Sequence, residues 1–338
     1  MMQPIFFGLA GLELSNDERA LFSAHPPAGF ILFKRNVENR AQVRALTDAL
    51  REISRRADVP ILIDQEGGRV ARLQPPEWPA FPAGAVFDAL YEKAPMSAIE
   101  AMRLNAQALG IMLAEVGINV NCTPLLDVRQ PGAHDIIGDR ALGAEPMRVA
   151  ALGRAVLDGL RAGGCVGVVK HMPGHGRSMS DSHLELPVVR ATAAEFEADL
   201  VPFISLKWAP MAMTAHVVYT AWDDQNCATL SPVVVGDIIR GRIGFDGLLM
   251  SDDLGMKALS GEEGVKARGV LAAGVDIILH CSGNFAEMQE VSAAVGDISA
   301  VSAARLARAM ATISESGGPT SLDALIAKRD QLMTAVSA

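Results

Sequence analysis

The chain has 338 residues, half of them hydrophobic, with 5% aromatic and 20% charged residues and a formal net charge of −9 at pH 7. This is the make-up of a globular chain with room for a large core, and with no basic cluster beyond Arg51, Arg55 and Arg56 it argues against nucleic acid and anionic membranes as partners. No apolar run reaches the roughly 18 residues of a membrane span, and Met1 to Phe7 shows neither a basic region nor a cleavage site, so a cytoplasmic protein without a membrane segment is expected.

Short apolar runs alternate with helical patterns along the chain. A strand at Ile5–Gly8 leads to a helix at Ser15–Ala24, where Ser15 and Glu18 have the spacing of a capping box. A second strand, Gly29–Phe33, precedes a helix at Asn39–Ala57, and a third, Pro60–Asp64, runs into a Pro-rich loop at Gln74–Ala85 that reads as a pocket rim. Then come a helix at Met96–Val116, a strand at Ile118–Cys122, a helix at Pro146–Ala162 and a strand at Gly167–Val169. The remaining units are a helix at Thr192–Trp208 with a strand at Met211–Ala215, a helix at Pro232–Arg242 with a strand at Leu248–Ser251, and a helix at Gly264–Ala273 with a strand at Asp276–Leu279. A helix at Asn284–Val295 and a terminal helix at Ser321–Val336 close the pattern.

Eight buried strands alternating with helices predict an α/β fold with a parallel sheet, and eight is the number that closes a (β/α)8 TIM-type barrel, irregular first strands allowed. The expected organisation is one catalytic domain over 1–338, with the segment from about 318 to 338 as a helix packed outside the barrel. An open doubly wound sheet is the rival, weakened because no GxGxxG follows the first strand. Active sites of the barrel lie where strands end, and here the ends are chemically loud. They carry Lys34-Arg35-Asn36, Asp64-Gln65-Glu66-Gly67-Gly68-Arg69, Asp127, Lys170-His171, His216, Asp252-Asp253 and His280, whereas the strand entries are mostly Gly, Pro and Val.

Individual motifs leave choices open. Of Asp252 and Asp253 only one carboxylate should face the barrel mouth, and the other is free to cap a following helix. Asp181-Ser182-His183 puts a carboxylate beside an imidazole in a loop, the arrangement of a directed proton carrier or of an exposed Asx turn. Lys170, His171, Asp64 and Arg72 suit ligand hydroxyls or a structural ion-pair network. His171, His175, His183 and His216 raise a metal site, but their spacing matches no zinc motif, and Gly174 and Gly176 make His175 read as part of a turn. Cys122, Cys165, Cys227 and Cys281 are widely spaced without a CxxC pair and read as reduced core thiols.

Taken together, Asp64 to Arg72 (DQEGGRVAR), Ile137-Gly138-Asp139-Arg140, Lys170 to Gly176 (KHMPGHG), Asp181-Ser182-His183 and Ser251 to Met256 (SDDLGM) resemble glycoside hydrolase family 3 in its single-domain bacterial branch of cytoplasmic β-N-acetylglucosaminidases of peptidoglycan recycling. Met172 stands where that branch would have phenylalanine. The resemblance implies a retaining enzyme with Asp252 as nucleophile, His183 as acid/base and Asp181 as its partner in a mobile dyad, so that an unliganded structure is expected to hold His183 away from Asp252. It implies sugar binding by Asp64, Arg72, Arg140, Lys170 and His171, and an apolar niche for the N-acetyl group near Val217 or Met256. It also implies no cofactor and no metal, a monomer, and as substrate a small carbohydrate, GlcNAc-anhydroMurNAc with or without peptide. The alternatives carried alongside are a related β-glucosidase or a GlcNAc phosphorylase, a metal-dependent barrel hydrolase, and a non-catalytic sugar-binding sensor.

Overall fold

The computed structural model describes residues 2–132, 134–182, 184–313 and 321–334. Among these residues ten strands follow in chain order: β1 (Gln3–Gly8), β2 (Pro27–Leu32), β3 (Ile61–Ile63), β4 (Val120–Asn121), β5 (Val166–Met172), β6 (Val188–Val189), β7 (Met211–Thr214), β8 (Val218–Tyr219), β9 (Leu248–Asp253) and β10 (Ile277–His280). Eight of them close a parallel barrel in the order β1-β2-β3-β4-β5-β7-β9-β10, while β6 and β8 form a separate parallel pair. The eight expected strands are therefore the eight barrel strands, with shifted ends. The third and fourth are shorter than their apolar runs suggest, and β5 and β9 continue through Lys170-His171 and Asp252-Asp253. Lys170, His171, Asp252 and Asp253 thus stand on the strands themselves, whereas Asp64, Arg72 and Arg140 stand on the loops after β3 and β4.

Barrel closure explains the near-continuous apolar strands, since each is covered on both faces. Alternate residues fill the interior, among them Phe6, Ile31, Leu62, Val168, Met213 and Leu279, and the other face packs under the helices. The helices are α1 (Asn16–Ala24), α2 (Arg40–Ser54), α3 (Gly84–Lys93), α4 (Pro95–Glu115), α5 (Pro146–Ala162), α6 (Ala193–Ser205), α7 (Glu263–Ala272), α8 (Phe285–Ala294), α9 (Ala300–Met310) and α10 (Leu322–Thr334). The Ser15–Glu18 capping box forms, with Glu18 N–H on Ser15 Oγ at 3.1 Å and Ser15 N–H on Glu18 Oε2 at 2.8 Å. The expected helix at Pro232–Arg242 is a π-helix over Val234–Ile243.

Two helices lie where none is expected. The α3 helix follows the Pro-rich loop directly. The α9 helix sends Leu306, Ala309 and Met310 into the barrel's interior core and closes its bottom. Its buried residues Ser302, Leu306, Ala309 and Met310 fall on one face at helical spacing, a signal that the sequence does carry. The α10 helix lies against α4, with Leu325 buried and Arg329 Nη1 on Asn105 Oδ1 at 2.9 Å. No helix among the described residues is long and apolar enough to cross a membrane.

Candidate active site

The carboxyl ends of the strands surround a cavity of about 350 Å³. Asp64, Arg72, Arg140, Lys170, His171 and Asp252, each expected from the sequence to touch substrate, all line it. The structure brings them together from the loop after β3, the loop after β4, and strands β5 and β9. Met256 also lines the cavity, whereas Val217 is fully buried in the outer core and does not.

One wall is an ion-pair network. Lys170, with only 3% of its side chain exposed, places Nζ 3.0 Å from Asp64 Oδ1 and 2.7 Å from Glu66 Oε1. Arg140 holds Glu66 through two bonds of 2.8 Å, and Arg72 Nη2 stands 3.3 Å from Asp64 Oδ2. Burial opposes charge on Asp64, Glu66, Arg140 and Lys170, yet attraction wins. The Glu66 carboxyl is held down at about 2, Asp64 lies below the ordinary carboxylate range, and Lys170 and Arg140 hold their protons more tightly than usual. The two readings left open by sequence are thus compatible, because the ion-pair network is also the cavity wall.

Glu66 was not singled out in the sequence, although it follows Asp64 by two positions in an extended segment and so shares its side. Gly67 makes the next turn possible: its φ is +102°, and a Cβ there would meet the Pro82 carbonyl oxygen at 2.2 Å.

A second unit surrounds Asp127, whose side chain is fully buried. It accepts from His171 Nδ1 (2.8 Å), from His171 N–H (3.1 Å) and from His175 N–H (2.7 Å). Burial would raise its carboxyl, but His171 and His175 outweigh that and hold it at about 2. A carboxylate can only accept, so the proton of His171 sits on Nδ1 and Nε2 is left for the cavity. The Lys170–His171 peptide is cis.

His175 is more than a turn residue, because it lines the cavity, is 4% exposed and packs edge-on to His171 at 5.6 Å. Burial, with His171 nearby, pushes its imidazole down to about 4, so it is neutral at neutral pH. Its Nε2 lies 3.4 Å from Ser182 Oγ. Gly176 lets the chain pass this point, since a Cβ there would sit 1.9 Å from the Val128 carbonyl oxygen.

Asp252 at the end of β9 is half-buried. Burial alone would raise its carboxyl, but His216, His171, the Asp253 N–H and Lys170 outweigh that and hold it below the ordinary carboxylate range. It is therefore ionised at neutral pH and faces the cavity. Of the dyad, Asp181 is not among the residues lining the cavity, while its neighbour Ser182 is. His183 lies outside the described residues. The segment carrying the dyad is tied down at both ends. Tyr219 Oη donates to Gly174 O at 2.7 Å, and Val188 pairs with Val218. Among the described residues no group of three or more His, Cys, Asp or Glu could hold a metal, and all four cysteines are buried and free.

A parallel barrel that gathers ionised carboxylates, a buried lysine and directed imidazoles at the carboxyl ends of its strands is an enzyme scaffold. Residues 5–315 match the model of the Glycosyl hydrolase family 3 N terminal domain, and the chain belongs to that family. It is 40% identical over 287 residues to a beta-hexosaminidase of Alkalilimnicola ehrlichii, covering 83% of this chain and 81% of that protein. Among solved structures it resembles NagZ from Neisseria gonorrhoeae in complex with N-trifluoroacetyl-D-glucosamine, with a TM-score of 0.87, 30% identity and coverage of 100% and 98% of the two chains. It also resembles a family 3 beta-N-acetylglucosaminidase from Paenibacillus sp. str. FPU-7, with a TM-score of 0.86, 31% identity and coverage of 99% and 67%. The protein is a glycoside hydrolase.

Proposed function

We propose that the protein is a retaining, exo-acting β-N-acetylglucosaminidase that removes non-reducing terminal β-linked GlcNAc from 1,6-anhydro-muropeptides in the cytoplasm, working as a monomer and as one catalytic unit without metal or cofactor. The observation that carries this reading is the ionised carboxylate of Asp252 facing a cavity of about 350 Å³ walled by fixed charges. Such a volume is at the small end of ligand pockets and suits one sugar ring. Support for the N-acetyl sugar comes from the relatives, one named a beta-hexosaminidase and one solved with an N-acylated glucosamine.

In this mechanism Asp64, Arg72, Arg140, Lys170 and His171 hold the sugar hydroxyls, and Met256 borders the 2-acetamido group. An oxygen of Asp252 attacks the anomeric carbon as the bond to the leaving oxygen breaks, and His183 gives that oxygen its proton. Water then attacks the same carbon, gives a proton to His183, and releases Asp252 with configuration retained. Asp181 fixes the tautomer of His183. Retaining enzymes mostly pair two carboxyl groups about 5–5.5 Å apart. An imidazole of ordinary pKa, about 6.5, serves both as acid and as base at neutral pH.

The test is a panel of aryl glycosides that differ only in the 2-substituent, assayed with and without phosphate. Turnover confined to the N-acetyl member and indifferent to phosphate supports the reading. Equal turnover of glucoside, or dependence on phosphate, overturns it. Asp252→Ala should lower turnover by several orders of magnitude, and near-normal activity in that variant refutes the nucleophile assignment.

A further inference from the structure

We propose that Asp253 is a positioning residue for its neighbour Asp252: gripped at its carboxylate and its carbonyl by other parts of the barrel, it aims its own N–H at the carboxylate that attacks the sugar. This rests on the assignment of Asp252 as nucleophile, and the experiment below separates the two. A capping role, open from the sequence, is excluded because α7 begins at Glu263 with Glu262 as its N-cap.

Asp253 is instead held from three sides. Its Oδ1 accepts from the Cys281 N–H at 2.9 Å, just past β10, and from the Gly255 N–H at 3.1 Å. Its carbonyl accepts from His216 Nε2 at 2.9 Å. A carbonyl has no proton to give, so the proton of His216 is on Nε2. Burial pushes the His216 imidazole down, which leaves Nδ1 bare to accept from the Thr229 hydroxyl at 2.7 Å, and Thr229 in turn lies 2.7 Å from Thr214 Oγ1. This chain reaches β7, so β7 and β10 clamp a residue that belongs to β9.

The remaining backbone group of Asp253 is its N–H, and it donates to Asp252 Oδ1 at 2.8 Å. With the carbonyl and the side chain both held, the Cα and N of Asp253 are fixed in place beside the Asp252 carboxylate. The N–H occupies one oxygen of Asp252, sets the plane of the carboxylate and presents the other oxygen to the anomeric carbon. A misplacement of about 1 Å at such a position is worth about 10²-fold in rate.

The other titratable groups facing Asp252 are Cys122 after β4, Lys170 and His171 on β5, His175 beyond it, His216 after β7 and Cys281 after β10. Removing a carboxylate next to Asp252 should, by charge alone, move the acid limb of the pH profile to lower pH. Releasing the N–H moves it to higher pH. The direction of the shift therefore reads positioning and not charge.

The experiment compares wild type, Asp253→Ala and Asp253→Asn with an aryl N-acetylglucosaminide, measuring kcat, KM and the acid limb of kcat/KM. Asp253→Ala should lose about 30- to 100-fold in kcat with KM within about 3-fold, and its acid limb should move up. Asp253→Asn keeps an oxygen that accepts both N–H groups and should recover to within about 5-fold of wild type. An alanine variant with kcat near wild type, an asparagine variant equally damaged, or an acid limb that moves down each overturns the proposal.

If Asp253→Ala does not fold, Thr229→Val carries the test. It removes the donor to His216 and should lower kcat at constant KM, and unchanged kcat overturns the proposal. Labelling wild type with a fluorinated N-acetylglucosaminyl substrate and locating the adduct by mass spectrometry separates the premises. A label elsewhere than Asp252 refutes the nucleophile assignment and the inference with it. A label on Asp252 with undamaged Asp253 variants refutes the inference alone.

Discussion

Lys170 sits between Asp64 and Glu66 at 3.0 and 2.7 Å, almost out of contact with water. Removing one partner of a buried ion pair leaves the others uncompensated and costs about 3–5 kcal/mol. Lys170→Met should therefore lower the thermal midpoint and abolish turnover together, and chemical denaturation checks the first part. Unchanged stability would mean that water reaches the cluster and screens it. His175 makes a prediction of a different kind. Its imidazole titrates at about 4 in the fold, whereas an unfolded chain has it near the ordinary value of about 6.5. Between these values the unfolded state holds the extra proton, so stability is fully present above pH 6.5 and is lost as pH falls toward 4. The loss attributable to this group is on the order of 3 kcal/mol. His175→Gln should flatten that part of the pH dependence of urea denaturation, and an unaltered slope would show that His175 does not titrate in this way.

At the scale of elements, the segment after β5 and the α9 helix carry the clearest consequences. Gly176 passes so close to the Val128 carbonyl that alanine cannot be accommodated without moving backbone. Gly176→Ala should displace the segment that leads to Asp181 and His183, lowering kcat while circular dichroism still reports a folded barrel. A variant with full activity would show that the approach is not required. Under the barrel, Leu306 of α9 is 2% exposed and belongs to the interior core. Leu306→Ala should cost about 2–5 kcal/mol by cavity formation, measured by denaturation, with KM unchanged because the substrate cavity lies at the other end. The elements near the site were legible because strands end in polar clusters. The α3 helix was not, since it hides behind prolines, and the α9 helix was missed although Ser302, Leu306, Ala309 and Met310 mark one face of it at helical spacing.

The whole molecule combines these terms into an asymmetric pH response. Glu66 and Asp127, both held at about 2, stabilise the fold above the ordinary carboxylate range and lose that contribution as pH falls through about 2. The depressed pKa of His175 adds its loss at milder acidity. Lys170 works in the opposite direction: its raised pKa stabilises the fold below the ordinary lysine value and is lost only as pH rises beyond it. Unfolding scans across pH should show a plateau from about pH 7 to 8.5, with a gradual acid decline that begins near 6.5 and an alkaline decline as the four buried thiols, pushed up by burial, ionise first in the unfolded chain. A symmetric bell centred near pH 5.3, the isoelectric point, would contradict the assignment of stability to this site.

Alternation of apolar runs with helical patterns determined a parallel α/β sheet of eight strands, because strands covered on both faces leave a sequence signal at every turn of the fold, while closure of that sheet into a barrel was decided by the tertiary structure. The polar strand ends pointed to Asp64, Lys170, His171 and Asp252, the family resemblance added Arg140, and with Arg72 all of them meet at the barrel mouth. Sequence could not say that Glu66 and Asp127 fix the lysine and the imidazole, that His175 lines the cavity, or that Asp253 is clamped by β7 and β10. Those relations join residues far apart in the chain through single hydrogen bonds. Spacing carries no trace of them, because register and closure of the barrel decide which donors reach which acceptors.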